Sequence, residues 1–498
     1  MRKYLLEIAV FLCGALVMTY EIIGSRILSP HIGTSTYTWT SLIGVILASL
    51  SLGYWLGGKW ADKKPDIKIL ASAIFLAGGL VAITILFKDS VLSVVAQTSL
   101  PIELKAVFAS IILFSPASVF LGFVTPYAVK LKTETLDKTG ETVGRLYALS
   151  TVGSILGTFL AGFFLIPFVG STRTLYIIAG SLIGLSVLLA PFAISRSNVG
   201  ILVIFAIGIG FNEIQAVYLR QVYNFHDIDT EYSRVQVFDA THKTDGKPIR
   251  AMRIDPKFFQ SSMYLDSDEL TSEYAKFYHL VRYYKPDFKK TLMIGGAGYS
   301  FPKDYLTTYP EAEMDVVEID PQMTAIAKRF FRLEEYPRLK ITHEDGRVFL
   351  NHAPAAEYDA VFLDAFTTLF NVPFQLTTIE AVREIHRVLK DDGVVIFNLG
   401  GVIEGKGSGF FKAEIKTYKE VFDEVVLFKV DQSKSDSDVQ NLIILAAKQR
   451  HSPEGSENPD PQTEQLLNNK RTLNFTLRNP LLTDDLAPTE FYNSQIRE

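Results

Sequence analysis

The sequence predicts a polytopic α-helical membrane bundle followed by an α/β domain with a mostly parallel sheet, with a small β module between them. Three observations carry this. From Tyr4 to about Phe211 the 498-residue chain is a succession of long apolar runs, and from about Asn212 onward charged and apolar residues alternate as in a soluble protein. In that second half, apolar strands alternate with helical segments, the pattern of a sheet covered on both faces.

About seven apolar segments are expected to be spans: Leu5–Ile23, Thr40–Leu56, Ile69–Phe87, Val107–Val129, Leu146–Val169, Leu175–Phe192 and Val199–Phe211. All but the last approach the roughly 20 residues that cross a bilayer core. In "GSILGTFLAGFF" the glycines Gly153, Gly157 and Gly162 recur at a spacing that lets helix backbones approach closely. Lys59, Lys63, Lys64 and Lys68, then Lys130, Lys132, Lys138 and Arg145, mark two loops as cytoplasmic. Seven full crossings leave the soluble half outside, whereas a seventh segment that fails to cross keeps it in the cytosol. Because the ligand argued for below is made there, the expected location is the inner membrane with a cytosolic catalytic domain, the extracytoplasmic side being the alternative. Glu7, Glu21 and Arg26 stand out in and after the first run, as headgroup-boundary charges, a Glu21–Arg26 pair or part of a pathway.

Cys13, the lone cysteine, excludes an intramolecular disulfide, and a net charge of -5 gives no reason to expect nucleic acid. No His/Cys cluster at metal spacing, Walker loop or serine-hydrolase elbow is present, so no metal is expected.

The domain limits read as 1–211 for the bundle, 212–285 for the β module and a helix, 286–450 for the α/β domain and 451–498 for a linker and tail. "YSRVQVFDA" and "PIRAMRID" flank the turn signal "TDGK", so Tyr232–Asp255 is expected to be a hairpin, and Leu270–Tyr284 a helix. The strands that follow are "TLMIGG", "MDVVEID", "LKITHED", "YDAVFLD" and "GVVIFNL". Residues 451–480, polar and proline-spotted, read as a flexible linker.

In such sheets a ligand lies beyond the carboxyl ends of the strands, against a glycine turn after the first. Gly295, Gly296 and Gly298 supply that turn, and Glu318, about twenty residues on, is where a carboxylate can hold a ribose. Asp345 and Gly346 end the third strand, and Asp364 the fourth. Alone, each aspartate reads as a helix cap or turn residue; at successive strand ends, with Glu318, they suggest a site.

At these residues the sequence resembles the spermidine synthase (aminopropyltransferase) family, and the whole chain resembles its membrane-fused bacterial relatives. The matching pieces are "YSRVQVFD", "QSSMYLDSDELTSEYAKFYHL", "LMIGGAGYS", "VVEIDPQM", "HEDGRVFL", "YDAVFLDAF" and the late "LLTDDLAPTEFY", with "YEIIGSRILSPHIGTS" and "GRLYALSTVGSILGTFLAGF" in the membrane half. The resemblance implies a Rossmann-like (methyltransferase/spermidine synthase-like) domain binding S-adenosylmethionine or its decarboxylated form, with 5′-methylthioadenosine as leaving group. It implies that Glu318 holds the ribose and Asp345 the adenine, that Gln260 and Tyr274 lie near the amino-acid or acceptor side, and that Asp364 is the catalytic aspartate.

The departures shape the expected chemistry. Spermidine synthases read "GGGDG" and "DSSDP" where this chain has Gly298 and Thr367 in place of two carboxylates. An aspartate in the turn would repel the carboxylate of intact S-adenosylmethionine, whereas Gly298 is expected to expose amides that favour an anion. The expected reaction is therefore attack on the γ-carbon by the substrate's own carboxylate or amine, giving homoserine lactone or azetidine carboxylate. Asp364 would orient or deprotonate the amine, and Tyr299, Phe366 and Phe374 could face the cation or merely line the crevice. Asp484, Asp485 and Glu490 in the tail read as a turn or as acidity folded back over the crevice. The alternatives are aminopropyl transfer to a polyamine, methyl transfer on the same fold, and a membrane transporter with a nucleoside-sensing domain.

Overall fold

The computed structural model describes residues 4–33, 35–133, 139–191, 196–254, 258–365, 373–450, 459–473 and 479–497. It divides into two compact units, Met1–Val235 and Gln236–Glu498.

The first unit is helical: α1 (Leu5–Ile32), α2 (Thr36–Lys63), α3 (Ile67–Gln97), α4 (Ile102–Leu113), α5 (Ser115–Gly122), α6 (Val124–Lys132), α7 (Thr139–Leu160, continuing as a π-helical stretch Ala161–Val169), α8 (Ser171–Leu189) and α9 (Arg196–Tyr223), then the short strand β1 (His226–Asp229). Among the described residues five helices are long and apolar enough to cross a membrane, and α4 with the α5–α6 segment makes a sixth span bent by 56°. Helices of this length and apolarity are consistent with an integral membrane protein.

Glycine decides the tightest helix pair. A Cβ at Gly153 would sit 2.1 Å from the Phe11 carbonyl oxygen, and one at Gly157 2.2 Å from that of Ala15, so α1 and α7 meet backbone to backbone. Gly162, read at the same spacing, has nothing within 4 Å of its Cβ position and takes no part. At the bend beside Pro116, the Leu113 carbonyl accepts from Tyr20 Oη (2.9 Å) and Thr84 Oγ1 (2.8 Å) in place of the next helical amide. The seventh segment is longer than the sequence suggests, because α9 runs for 28 residues past Phe211 to Tyr223.

The second unit takes in most of β2 (Arg234–Thr241), then β3 (Pro248–Arg253) and β4 (Ser261–Tyr264). β2 and β3 form the expected antiparallel hairpin, with Gly246 at φ +73° in its turn, and β4 adds to β3. Asp255, at the end of the predicted hairpin, lies outside the described residues.

The Leu270–Tyr284 helix is not continuous: α10 (Glu273–Lys276) tightens into a 3-10 turn (Phe277–Leu280) before α11 (Val281–Tyr284). Then come β5 (Lys290–Ile294), α12 (Ser300–Thr308), β6 (Glu313–Glu318), α13 (Pro321–Phe330), β7 (Leu339–His343), α14 (Gly346–His352), β8 (Tyr358–Leu363), α15 (Ile379–Val388), β9 (Leu389–Gly401), α16 (Gly409–Lys419), β10 (Glu424–Lys429), β11 (Gln440–Ala447), α17 (Pro461–Leu467), β12 (Lys470–Arg471) and α18 (Thr489–Ser494). They build one eight-stranded sheet in the order β12-β10-β11-β9-β8-β5-β6-β7. β5 to β9 pair in parallel, and β11, β10 and β12 extend the sheet antiparallel from β9.

β8 is buried at all six positions, as a central parallel strand covered on both faces must be. α15 buries Ile379, Ala381, Val382, Ile385 and Val388 along one stripe and is N-capped by Thr378, whose hydroxyl accepts from Ala381 N. Within the stretch read as a linker, α17 is capped by Asp460 and β12 pairs with β10, so part of it is folded onto the domain. Its flanks, 451–458 and 474–478, lie outside the described residues.

Candidate active site

The carboxyl ends of β5, β6, β8 and β9 converge on the glycine turn. Gly295 holds φ +97°, and a Cβ there would stand 2.4 Å from the Asp364 carbonyl oxygen, so only glycine lets the ends of β5 and β8 close up. Asp364 N donates to Ile294 O at 2.9 Å, extending the pairing of the two strands by one bond. That fixes the backbone of the residue whose side chain matters most.

Asp364 Oδ2 accepts from the Tyr274 hydroxyl at 3.0 Å, and the Tyr278 hydroxyl, 3.5 Å from Leu363 O, and the Asn398 amide stand beside the carboxylate as further donors. Burial pushes its pKa up to about 6, against the opposing pull of those three donors. Desolvation and the neighbouring carboxylate hold the Tyr274 hydroxyl well above the usual phenol range, so it remains a donor. The result is a carboxylate poised to exchange a proton near neutral pH.

Glu318 ends β6 and grips the turn. Its Oε2 accepts from Gly296 N (2.9 Å) and Ala297 N (3.1 Å), and its Oε1 from Asp320 N (3.0 Å). Burial raises its pKa while these amides oppose the rise. Each carboxylate oxygen has two lone-pair directions; the two amides use both of those on Oε2, and one on Oε1 remains for a ligand hydroxyl.

A small cleft, partly open to solvent, is lined by Gln260, Ser261, Ser262, Thr271, Ser272, Tyr274, Gly296, Ala297, Ser300 and Asp364 together with apolar side chains. Among the described residues of that lining Asp364 is the one carboxylate. Hydroxyls dominate the opposite wall: Ser261 and Ser300 Oγ are 3.2 Å apart, Ser300 donates to Ser262 O (3.0 Å), and Ser262 and Thr271 share a 2.7 Å bond. Gln260 is anchored through its backbone, whose N–H donates to Met252 O at 2.8 Å.

Of the residues singled out from sequence, Gln260, Tyr274, Gly296 and Asp364 line this cleft, while Gly295 and Glu318 shape the turn behind it. Gly298 does neither. It is buried beneath Ser261 and Phe331; a Cβ would meet Ser261 Oγ at 2.4 Å and Phe331 Cδ1 at 3.2 Å. The expected exposed amides at this position are therefore covered, and Gly296 and Ala297 are the turn residues that reach the cleft. Asp345 caps α14, accepting from Arg347 N (2.8 Å) and Val348 N (3.1 Å), the structural role open to a strand-end aspartate. Gly346 brings α14 against β5, its Cβ position 2.6 Å from Ile294 Cγ2.

Tyr299 is fully buried, with its hydroxyl 2.7 Å from Thr324 Oγ1 and its ring under Gly296, so it is a wall of the turn and not a face offered to a cation. Phe374 is 48% exposed. Phe366 and Thr367 lie outside the described residues.

In the tail, Asp484 pairs with Arg347 (2.9 Å) and accepts from Thr378 Oγ1 (2.6 Å), so its charge is spent on α14 and α15. Sequence reasoning missed Tyr278, Asn398 and Lys303. Asn398 could have been found, since "VVIFNLG" puts a polar residue at the carboxyl end of the strand beside Asp364. Lys303 is buried on α12 and donates to Phe331 O (2.7 Å) and Asp268 Oδ1 (3.1 Å), bracing Phe331 against Gly298. Burial lowers its pKa.

A family profile described as "Spermine/spermidine synthase domain" matches residues 272–430, the stretch that carries the turn, Glu318 and Asp364. Residues 272–430 carry a spermidine synthase-like domain. Among the relatives of this spermidine synthase-like chain, a polyamine aminopropyltransferase of Vibrio vulnificus is 30% identical over 169 residues, 34% of this chain and 54% of that protein. Polyamine aminopropyltransferase 1 of Streptomyces coelicolor is 23% identical over 435 residues, 80% of this chain and 76% of its own length, so that similarity reaches into the membrane half. The chain thus matches only about half the length of the Vibrio relative. A solved structure, a probable spermidine synthase from Corynebacterium glutamicum, overlaps 45% of this chain and 80% of its own at 20% identity and a TM-score of 0.39, too loose to add weight.

Proposed function

We propose that the α/β half transfers an alkyl group from the sulfonium of an S-adenosylmethionine-type nucleoside to an amine and releases 5′-methylthioadenosine. Aminopropyl transfer from decarboxylated S-adenosylmethionine is the form that the relatives' names favour. The observation that carries this is Asp364, the one carboxylate among the described residues lining the cleft, with its pKa raised to about 6 and oriented by Tyr274.

In the proposed step the Asp364 carboxylate takes a proton from the acceptor ammonium. The freed nitrogen lone pair attacks the carbon next to sulfur, the C–S bond breaks, and its electron pair stays on the thioether of methylthioadenosine. Most of the rate gain comes from holding nitrogen, carbon and sulfur in line, since the sulfonium is already a good leaving group. Glu318, whose Oε1 keeps one acceptor position beside the turn, is assigned to the ribose, with the adenine toward Asp345 and Gly346.

A second reading, intramolecular cyclisation of intact S-adenosylmethionine, draws support from the same lining. Hydroxyls and a single carboxylate offer a polycation little charge, and a charge-assisted hydrogen bond to each missing carboxylate is worth roughly 1.5–3 kcal/mol. Supplying purified full-length protein with each nucleoside, with and without diamines of several lengths, and weighing the products separates the two. An alkylated amine formed from the decarboxylated nucleoside supports transfer; methylthioadenosine from intact S-adenosylmethionine without any amine supports cyclisation.

A further inference from the structure

The two ends of the helical unit differ in charge and in what the chain does there. At one end, Glu7 near the start of α1 pairs with Lys132 (3.1 Å) at the end of α6 and with Arg145 (3.7 Å) on α7, and Lys130 pairs with Asp62 (2.8 Å) at the end of α2. Tyr127 of α6 donates to the Lys64 carbonyl in the connection between α2 and α3. Lys59, Lys63, Lys64, Lys68, Lys130, Lys132, Arg145 and Arg196 all belong to this end by their position in the helices and connections.

The other end is fixed by the last ten residues of the same unit. Arg26, near the end of α1, donates to the carbonyl of Glu231. Asp229, closing β1, accepts from Ser171 N (2.7 Å) and Ser171 Oγ (3.1 Å) at the start of α8. Arg234 pairs with Asp227 (2.6 Å) and interacts electrostatically with Asp89, late in α3. At 1.5 Å per residue, Arg26 lies roughly 28 Å along α1 from Glu7, close to the thickness of a bilayer's hydrocarbon core. The connections at this end, 33–35, 98–101 and 170, contain no Lys or Arg. The basic residues near this end lie within the helices and β2 instead, at Arg26, Lys88, Lys105, Arg173, Arg220 and Arg234, and four of them are engaged within the unit: Lys88 with Asp89 (2.8 Å), Lys105 with Ala96 O (3.0 Å), Arg26 with Glu231 O and Arg234 with Asp227.

The helix that leads there is long enough to cross: α9 is 28 residues, or about 42 Å, and packs along α3, with the Tyr176 hydroxyl of α8 donating to Gly208 O at 3.1 Å. The chain therefore passes into its second unit, at Gln236, on the face opposite the Lys/Arg-rich connections. Short loops rich in Lys and Arg stay in the cytoplasm. We infer that the catalytic half lies on the extracytoplasmic face of the membrane.

This reverses the orientation that a cytosolic origin of the donor suggests. Resting on the proposed function, it places the reaction after a step that carries a sulfonium nucleoside across the bilayer, and it delivers the alkylated product and methylthioadenosine outside.

Sidedness can be measured without assaying activity, so its failure is distinct from failure of the proposed chemistry. Cys13, the one native cysteine, is buried and gives a blank. Thr244→Cys, in the exposed hairpin turn of the second unit, and Lys64→Cys, in the basic connection, are each introduced into the full chain. A membrane-impermeant maleimide is applied to right-side-out vesicles before and after permeabilisation. The inference expects Thr244→Cys to label fully at once and Lys64→Cys only after permeabilisation. The opposite pattern overturns it, and so does labelling of both only after permeabilisation.

Discussion

The Tyr274 hydroxyl donates to Asp364 Oδ2 at 3.0 Å across 90 residues of sequence, joining the helix that precedes the sheet to the carboxyl end of its fourth parallel strand. Two residues of little meaning alone thereby become one unit: a raised-pKa carboxylate with a fixed direction.

Asp364→Asn removes the base and keeps the shape. The turnover rate is expected to fall by about 100- to 10,000-fold, the usual contribution of a general base, with nucleoside affinity by calorimetry nearly unchanged. A comparable loss of affinity would move Asp364 from catalysis to donor binding.

With a pKa of about 6, Asp364 is expected to give a rate that climbs through about pH 6 and levels off above it. Tyr274 is the first of the donors that pull this pKa down, so Tyr274→Phe shifts the midpoint to higher pH. Losing one hydrogen bond to a charged group, roughly 1.5–3 kcal/mol, also slows the plateau by about ten- to a hundredfold. Stability runs the other way. A carboxyl whose folded pKa is raised stabilises the fold fully below its unfolded pKa, about 3.9, and that contribution is lost as pH rises through about 6.

Glu318→Gln turns one acceptor oxygen of the turn clamp into a donor facing amides. Both thermal stability and nucleoside binding are expected to drop, binding by about tenfold or more given two disturbed charge-assisted bonds. Thermal shift with and without S-adenosylmethionine separates the two effects.

Gly298→Asp tests whether the departure from the family's turn is reversible. Because a Cβ at Gly298 would meet Ser261 Oγ at 2.4 Å, the single variant is expected to lose about 1–3 kcal/mol of stability by overpacking. Adding Ser261→Gly should restore most of it, as read by denaturant titration. A stable single variant would show that Ser261 moves aside freely.

Much of this site was legible because strand ends repeat a pattern. The turn at Gly295 and Gly296, Glu318 at the next strand end and Asp364 at the fourth follow from alternation of apolar strands and helices, which sequence displays. Gly298 was misread because its missing side chain says nothing about what fills the space, and Ser261 arrives there from a different module. Asp345 shows the reverse limit: it caps a helix, a role that residue type and topological position do not reveal, with both cap bonds, from Arg347 N and Val348 N, on Oδ1. Tyr278 and Asn398 reach Asp364 through tertiary packing alone. α9 was cut short because the apolar run ends near Phe211 while the helix continues to Tyr223.

The nucleoside product tests the central claim most directly. Purified full-length protein is incubated with decarboxylated and with intact S-adenosylmethionine, each with a diamine, and the nucleosides are separated by chromatography. The account predicts 5′-methylthioadenosine from wild type and almost none from Asp364→Asn. S-adenosylhomocysteine as the product, or methylthioadenosine formation indifferent to Asp364→Asn, would contradict it.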